Sequence, residues 1–287
     1  MERQPNAMES ALAGLFDYAG LFPPAELTMH TAVQNYLQYR HGRHAWALGC
    51  MVVDTSQLHA LQQEAESNVP DLRLSIIMTD TNPATIPHYL NENLPIEMIE
   101  VKSADPDAMP SLRKSLPAEM QIYLEVPMAL RKSDLLQTMH NAGIRAKLRM
   151  GGITAEAFPK AASVAATLKA LAERKLAFKA TAGLHHPLRS QHPFTYRHDS
   201  ATGMMHGFIN LLCASALVWF GGEVEEATQL LEEQDSQAWQ LTANAIRWHA
   251  WEWSAEQLQE VREHFLISIG SCSFTEPIQD LETLGWL

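Results

Sequence analysis

Short β-rich runs recur along the chain, and each is closed by a turn signal and followed by a longer stretch whose apolar residues fall at helical spacing. A repeat of that kind is the pattern of parallel βα units. Eight strands are predicted: Leu12 to Ala19, Trp46 to Val53, Leu72 to Met78, Ile96 to Lys102, Gln121 to Val126, Ile144 to Arg149, Leu176 to Thr181 and Phe265 to Gly270. The first ends at Asp17-Tyr18-Ala19-Gly20 and leads through Pro23-Pro24 into a helix over Met29 to Arg40. Asp54-Thr55-Ser56 supplies N-cap chemistry for a helix over Gln57 to Ser67, and Thr79-Asp80-Thr81-Asn82-Pro83 opens the next one.

The eighth strand comes late. Amphipathic segments at Phe208 to Phe220, Glu223 to Glu233 and Thr242 to His264 precede it and predict a helical elaboration over 206–264. Pro187 to Met205 shows neither strand nor helix periodicity and is rich in His, Arg, Ser, Thr and Pro, which makes 187–205 a candidate lid directly after strand seven. No Gly/Ser linker or low-complexity tract interrupts the series, so the chain reads as a single domain over 1–287. No Gly-x-Gly-x-x-Gly turn follows any strand, which removes the main argument for an open dinucleotide-binding sheet and favours closure. The predicted fold is α/β, a (β/α)8 TIM-type barrel with extra helices before the last strand; 287 residues suit a fold that commonly runs to about 250 as one unit.

Charge narrows the partners. With a formal net charge of -12, a broad cationic face for nucleic acid or an anionic membrane would have to be built against the average. Met1 to Ser10 lacks a basic stretch followed by an apolar core, and the apolar run Phe208 to Phe220 is shorter than the ~20 residues a membrane helix needs. The 3 cysteines, Cys50, Cys213 and Cys272, give neither a disulfide framework nor zinc spacing. The expectation is a cytoplasmic protein that binds no nucleic acid and no membrane.

Strands of a parallel barrel are covered on both faces and should be near-continuous apolar runs. Several are not: Glu100-Val101-Lys102, Glu125 before Val126, Lys147-Leu148-Arg149 and Lys179-Ala180-Thr181 place charges on four successive strands. Side chains alternate with period two, so Glu100 shares a face with Lys102, Lys147 with Arg149, and Lys179 with Thr181 and, on extension, His185. Pressed under a helix such charges would cost several kcal/mol each, whereas at the C-terminal rim they meet solvent and a substrate. Four cations against two anions point to an anionic small molecule, a carboxylate or phosphate. Structural ion pairs between adjacent strands, such as Glu100 with Lys147, are the competing explanation.

A lysine is a nucleophile only when neutral, and a nearby cation favours that state. Lys147 and Lys179 lie on neighbouring strands; one could form a Schiff base with a carbonyl while the other keeps it unprotonated, with Glu100 or Glu125, and Lys102 beside them, moving protons. At this point the chain resembles a known family. Lys179-Ala180-Thr181-Ala182-Gly183 is similar to the Lys-Ala-Ser-Gly-Gly strand end of deoxyribose-phosphate aldolases, where a strand-seven lysine assists a Schiff-base lysine on strand six. By strand position the resemblance implies that role for Lys147. Lys147-Leu148-Arg149-Met150-Gly151-Gly152 departs from the family's Lys-Thr-Ser-Thr-Gly, and Glu100 stands where the family has an Asp.

Gly151-Gly152-Ile153-Thr154 and Gly270-Ser271-Cys272-Ser273 suit anion binding by backbone N–H groups, the second more so because barrels often hold phosphate after strands seven and eight. Gly270, Ser271 and Ser273 are therefore candidates, against a plain turn with an N-cap serine. Arg189 and Arg197 are candidate clamps, and Asp17 a candidate proton carrier at the end of strand one. The expected enzyme is a cofactor-free aldolase-like lyase. A divalent metal on the same rim, with His185 or His186 joining Glu100 or Glu125, is the alternative, since His185, His186, His192, His198 and His206 cluster with Asp199 and Glu276; no His-x-His, His-Glu-x-x-His or Cys-x-x-Cys spacing supports it. A non-catalytic barrel that binds an anionic metabolite is a third. Cys272 reads as inert packing for want of a sequence-adjacent base, and Trp248, Trp251 and Trp253 as core or homo-oligomer packing.

Overall fold

A computed structural model of the chain describes residues 5–78, 85–91, 93–102, 109–128 and 134–287. Eight parallel strands close a barrel: β1 (Phe16–Tyr18), β2 (Leu48–Asp54), β3 (Leu74–Met78), β4 (Ile96–Val101), β5 (Gln121–Val126), β6 (Arg145–Arg149), β7 (Phe178–Thr181) and, last in the chain, β13 (Leu266–Ser271). They follow one another around the barrel in chain order, with β13 between β7 and β1. The expected α/β barrel is thus the fold. The expected opening of a helix at Thr79 to Pro83 falls outside the described residues.

The outer ring contains α2 (Met29–Arg40), α3 (Leu58–Ala65), α4 (Thr85–Asn91), α5 (Met109–Lys114), α6 (Asp134–Ala142) and α7 (Ala161–Glu173), each between consecutive strands. Thr28 caps α2 through Thr31 N, and Asp54 caps the 3-10 turn Thr55–Gln57 that leads into α3. The first strand is shorter than expected, because Asn6 and Glu9 form a capping box that starts helix α1 (Ala7–Leu12) and claims Leu12.

The long connection between β7 and β13 differs from expectation in two places. The 187–205 segment is an antiparallel hairpin, β8 (Ser190–Pro193) with β9 (Thr202–Met205), whose four-residue strands are too short to show a period. Helices α8 (Phe208–Trp219) and α9 (Val224–Glu232) are where the apolar spacing puts them, but most of Thr242 to Ser254 is not helical. Strands β10 (Trp239–Leu241), β11 (Ala245–Trp248) and β12 (Trp251–Ser254) form a small sheet there before α10 (Ala255–His264) begins. Trp248 pairs with both Trp239 and Trp251 across the sheet, and the two-residue turn at His249 and Ala250 takes His249 into the left-handed region, at φ 49°. Aromatic cross-strand pairs favour sheet over helix, and Trp239, Trp248 and Trp253 are buried. Among the described residues no helix is long and apolar enough to cross a membrane.

The core is divided by the barrel wall. The large apolar cluster includes strand residues such as Ile76, Ile99, Ile122, Leu148 and Ala180 together with helix residues such as Leu61, Leu136, Leu168 and Leu212. A second cluster holds only Cys50, Met98 and Tyr123, with Ile267 against it. Barrels ordinarily fill their interior with branched apolar layers; here Asp17, Ser75, Glu100, Lys147, Lys179 and Ser268 are buried on the strands instead.

Candidate active site

Lys179 on β7 stands in the middle of that polar interior, 0% exposed. Its Nζ donates to Asp17 Oδ2 at 2.7 Å, Glu100 Oε1 at 2.6 Å and Ser75 Oγ at 3.3 Å, which uses all three of its hydrogens. The acceptors are held in turn. Ser75 Oγ donates to Glu100 Oε1 at 2.7 Å, while Asp17 accepts from Ser268 Oγ at 2.6 Å and from the Cys50 backbone N–H at 2.8 Å. Gly49 makes this possible, since a Cβ there would lie 2.3 Å from Asp17 Oδ1. Burial is the largest single influence on the Lys179 ammonium and works against it, but the Asp17 and Glu100 carboxylates outweigh burial and raise its pKa above the ordinary lysine range. Glu100 responds in kind: burial opposes its charge, Lys179 and Lys147 overcome that, and its carboxyl is held well below the usual range.

Glu100 has two oxygens and serves two lysines. Oε1 takes Lys179 and Oε2 takes Lys147 Nζ at 2.8 Å, so one buried carboxylate bridges an ammonium inside the barrel to one at its mouth. Glu125 Oε2, half-buried, is 3.4 Å from Lys147 on the other side. Lys147 is 4% exposed and lines a cavity of about 280 Å³ at the C-terminal ends of the strands. Lys102, Glu125, Arg149, Thr181, His185 and Gly270 also line it, and Ala19, Pro23, Pro24, Ile153, Phe194 and Met205 give it an apolar rim. A separate cavity of about 360 Å³, at the opposite end, is lined by the Arg73 and Glu97 pair and by Arg262. Catalytic groups of such barrels gather at the C-terminal ends, so the mouth is the candidate site.

The connection after β7 closes the mouth. Ala182 and Gly183 both have positive φ, 66° and 68°, and a Cβ on Gly183 would meet Gly151 Cα at 3.0 Å and the Phe158 ring. A left-handed alanine beside a cavity is the kind of strain that functional sites hold. The turn delivers His185, whose Nδ1 lies 3.3 Å from Glu276 Oε2 on α11 (Thr275–Thr283), 3.4 Å from Ser271 Oγ and 3.8 Å from Cys272 Sγ. Burial opposes the imidazolium, but Cys272 and Glu276 outweigh it and raise the pKa to about 9. From the hairpin, Tyr196 OH donates to Glu276 Oε2 at 3.0 Å and lies 3.5 Å from Cys272 Sγ.

Several expected site residues are elsewhere. Asp17 is not at the rim but beneath it, sealed against Lys179. His186 turns away from His185, as neighbours in an extended segment do, and bonds Asp280 on α11 at 2.6 Å with its ring stacked on His192. Arg189 does not reach the mouth; its Nη1 donates to His206 Nδ1 at 3.4 Å, and burial lowers its pKa. His206 donates from Nε2 to the Pro159 carbonyl, and burial lowers its pKa to about 4, so it is neutral and free to accept from Arg189. Arg197 pairs with Asp199 on the exposed tip of the hairpin. Ser273 Oγ accepts from Glu276 N at 3.1 Å at the start of α11, the plain turn role, and Ser271 faces His185. Among the described residues no three His, Cys, Asp or Glu side chains come together to hold a metal ion. The rim residues Phe22 and Phe194, and Tyr196 behind them on Glu276, carry no polar pattern that periodicity could single out, and Glu276 joins His185 across a sequence separation of 91.

Neither a protein-family model nor a curated protein sequence matches the chain. Among solved structures it is similar to the crystal structure of the Bacillus megaterium QM B1551 spore cortex-lytic enzyme SleL, at 8% identity and a TM-score of 0.41, over 95% of this chain and 73% of that chain. At that distance the chemistry has to be argued from the residues of this chain.

Proposed function

We propose that the barrel is a Schiff-base lyase acting on a small anionic carbonyl compound, with Lys147 as its amine. The observation that carries this reading is the Glu100 carboxylate shared between Lys147 at the cavity wall and Lys179 beneath it. Asp17, Glu100, Lys147 and Lys179 form a buried quartet with two charges of each sign. A neutral amine on Lys147 would unbalance it, and a protonated iminium would restore the balance, because it carries the same charge as the ammonium it replaces. Unpaired buried charge is costly, so the surroundings favour the iminium, the species that withdraws electrons from a neighbouring carbon–carbon bond. Glu125, beside Lys147 and half-buried, is placed to take the proton that frees the amine and to return it to the carbonyl oxygen leaving as water. Lys179 stays an ammonium throughout, a positioning residue that fixes Glu100. Lys102 and Arg149 supply positive charge for the substrate's carboxylate or phosphate.

Borohydride reduction in the presence of small keto acids and aldehyde phosphates tests the reading. The expected product is a substrate-sized mass gain on Lys147 that disappears in Lys147→Arg. Reduction that labels Lys179 instead, or leaves every lysine unlabelled across the panel, would end it, and would leave an anion-binding barrel without this chemistry.

A further inference from the structure

The mouth holds a second group that the Schiff-base reading does not use. We propose that Cys272 is a nucleophile that adds reversibly to an aldehyde bearing a negative charge, with His185 carrying its proton. The proposal takes its substrate class, and the fragment that Cys272 would seat, from the reading above.

Cys272 follows β13 and lines the same cavity as Lys147. The other two cysteines have no such setting: Cys213 is 0% exposed within the apolar packing of α8, and Cys50, also 0% exposed, sits inside the barrel with Sγ 3.7 Å from Glu97. A cysteine that serves only as packing needs apolar neighbours. Cys272 instead has the His185 imidazole at 3.8 Å and the Tyr196 hydroxyl at 3.5 Å, both of them fastened to Glu276, at 3.3 and 3.0 Å. Glu276 and Cys272 both lie against the same ring nitrogen, Nδ1, so a proton there is shared between carboxylate and sulfur, and a protonated imidazole in contact with a thiol is a setting that activates sulfur. The cations Lys102 and Arg149 on the same cavity wall draw the electrophile to be negatively charged.

The addition balances without an added reagent. With the thiol proton on His185 Nδ1, sulfur attacks the aldehyde carbon, the carbon–sulfur bond forms and the carbonyl π pair moves to oxygen. The oxygen then takes the proton from His185, giving a hemithioacetal and a neutral imidazole; nothing leaves, and the reverse steps release the aldehyde. Cleavage of a carbon–carbon bond through an iminium leaves one fragment on Lys147 and frees the other as an aldehyde, so Cys272 would seat that second fragment.

The experiment alkylates the full-length protein with iodoacetate or iodoacetamide, with and without glyoxylate, and locates modified cysteines by mass spectrometry. Cys272 is expected to react before Cys50 and Cys213. Relative to glutathione, iodoacetate should be favoured over iodoacetamide by at least about tenfold, because a positively lined cleft concentrates anions. Glyoxylate should slow the reaction, and His185→Gln, checked for folding by circular dichroism, should slow it as well. Cys272 reacting no faster than glutathione, or no protection by glyoxylate, would overturn the proposal on wild-type protein alone. Repeating the protection in Lys147→Met separates the two readings. Protection that persists there belongs to the sulfur even if no imine is ever trapped; protection that vanishes while labelling continues assigns the aldehyde to Lys147 and removes Cys272 from the chemistry.

Discussion

Lys147 and Lys179 are register partners on adjacent strands, yet their surroundings separate them. Lys179 donates to Asp17, Glu100 and Ser75 with no contact to the cavity, whereas Lys147 leans between Glu100 and the half-buried Glu125 at the cavity wall. Lys179→Met would take from Asp17 its ion-pair partner and leave Glu100 with Lys147 alone. Removing one partner of a buried pair costs about 3–5 kcal/mol, and that loss is expected in urea unfolding of Lys179→Met. Lys147→Met should cost clearly less, because Glu100 keeps Lys179 and Glu125 can turn to water; the opposite order would show that Lys147 is the structural lysine. The pH window follows from the directions of the shifts. Glu100, depressed, contributes stability that is in place above its unfolded value near 4.3 and is lost as pH falls through its folded value; Lys179, raised, contributes stability that is in place below about 10.4 and is lost as pH rises through its own. The gap between wild type and Lys179→Met should therefore be widest and flat between about pH 5 and 10. Period-two alternation along the strands made the inward-facing set legible in the sequence, from Glu100 to Lys179. Depth was not legible, because it depends on the stagger of eight strands around the barrel, and so Asp17 looks like a rim group in the sequence and lies sealed in the structure.

Among the elements, the hairpin of β8 and β9 has the most direct link to function. It contributes Phe194 and Met205 to the cavity rim, and it is tied to α11 twice, through Tyr196 on Glu276 and through His192 stacked on the His186 that bonds Asp280. Its turn exposes Arg197, whose side chain is 79% accessible, as a site for trypsin. If the hairpin closes over a bound molecule, reduction of a keto acid onto Lys147 should slow cleavage after Arg197, followed by mass spectrometry; an unchanged cleavage rate would remove the lid role. The elements most legible in the sequence were those long enough to show a period, such as α2 over Met29–Arg40 and β5 over Gln121–Val126. The hairpin was missed because four residues per strand carry too little pattern. The small tryptophan sheet was misread because Ile246 and Trp253, seven apart, also satisfy helical spacing, and only the cross-strand pairing of Trp248 with Trp239 and Trp251 decides between the two.

At the scale of the whole molecule, a chain with net charge -12 presents a mouth with the opposite balance. Its wall carries Lys102, Lys147 and Arg149 against Glu100 and Glu125, while His185 is paired with Glu276. An anion approaching from bulk is repelled by the average surface and attracted only at close range, so its binding should be sensitive to salt. The Debye length falls from about 30 Å at 0.01 M to about 8 Å at 0.15 M ionic strength, which screens both the repulsion and the part of the attraction that extends into solvent. A ligand at a hundredfold excess over its Kd adds about 2.7 kcal/mol of stability, and each kcal/mol moves the melting temperature of a protein of this size by roughly 2–4 °C. Small keto acids or inorganic phosphate at saturation and low salt should therefore raise Tm by roughly 5 °C or more. Joint replacement of Lys102 and Arg149 by Met should remove most of that rise while leaving the unliganded Tm near its starting value, since Lys102 and Arg149 are exposed and neither takes part in the buried quartet. An uncharged amide analogue that stabilised the protein as strongly as the acid would show that the apolar rim, and not the charge of the wall, selects the ligand.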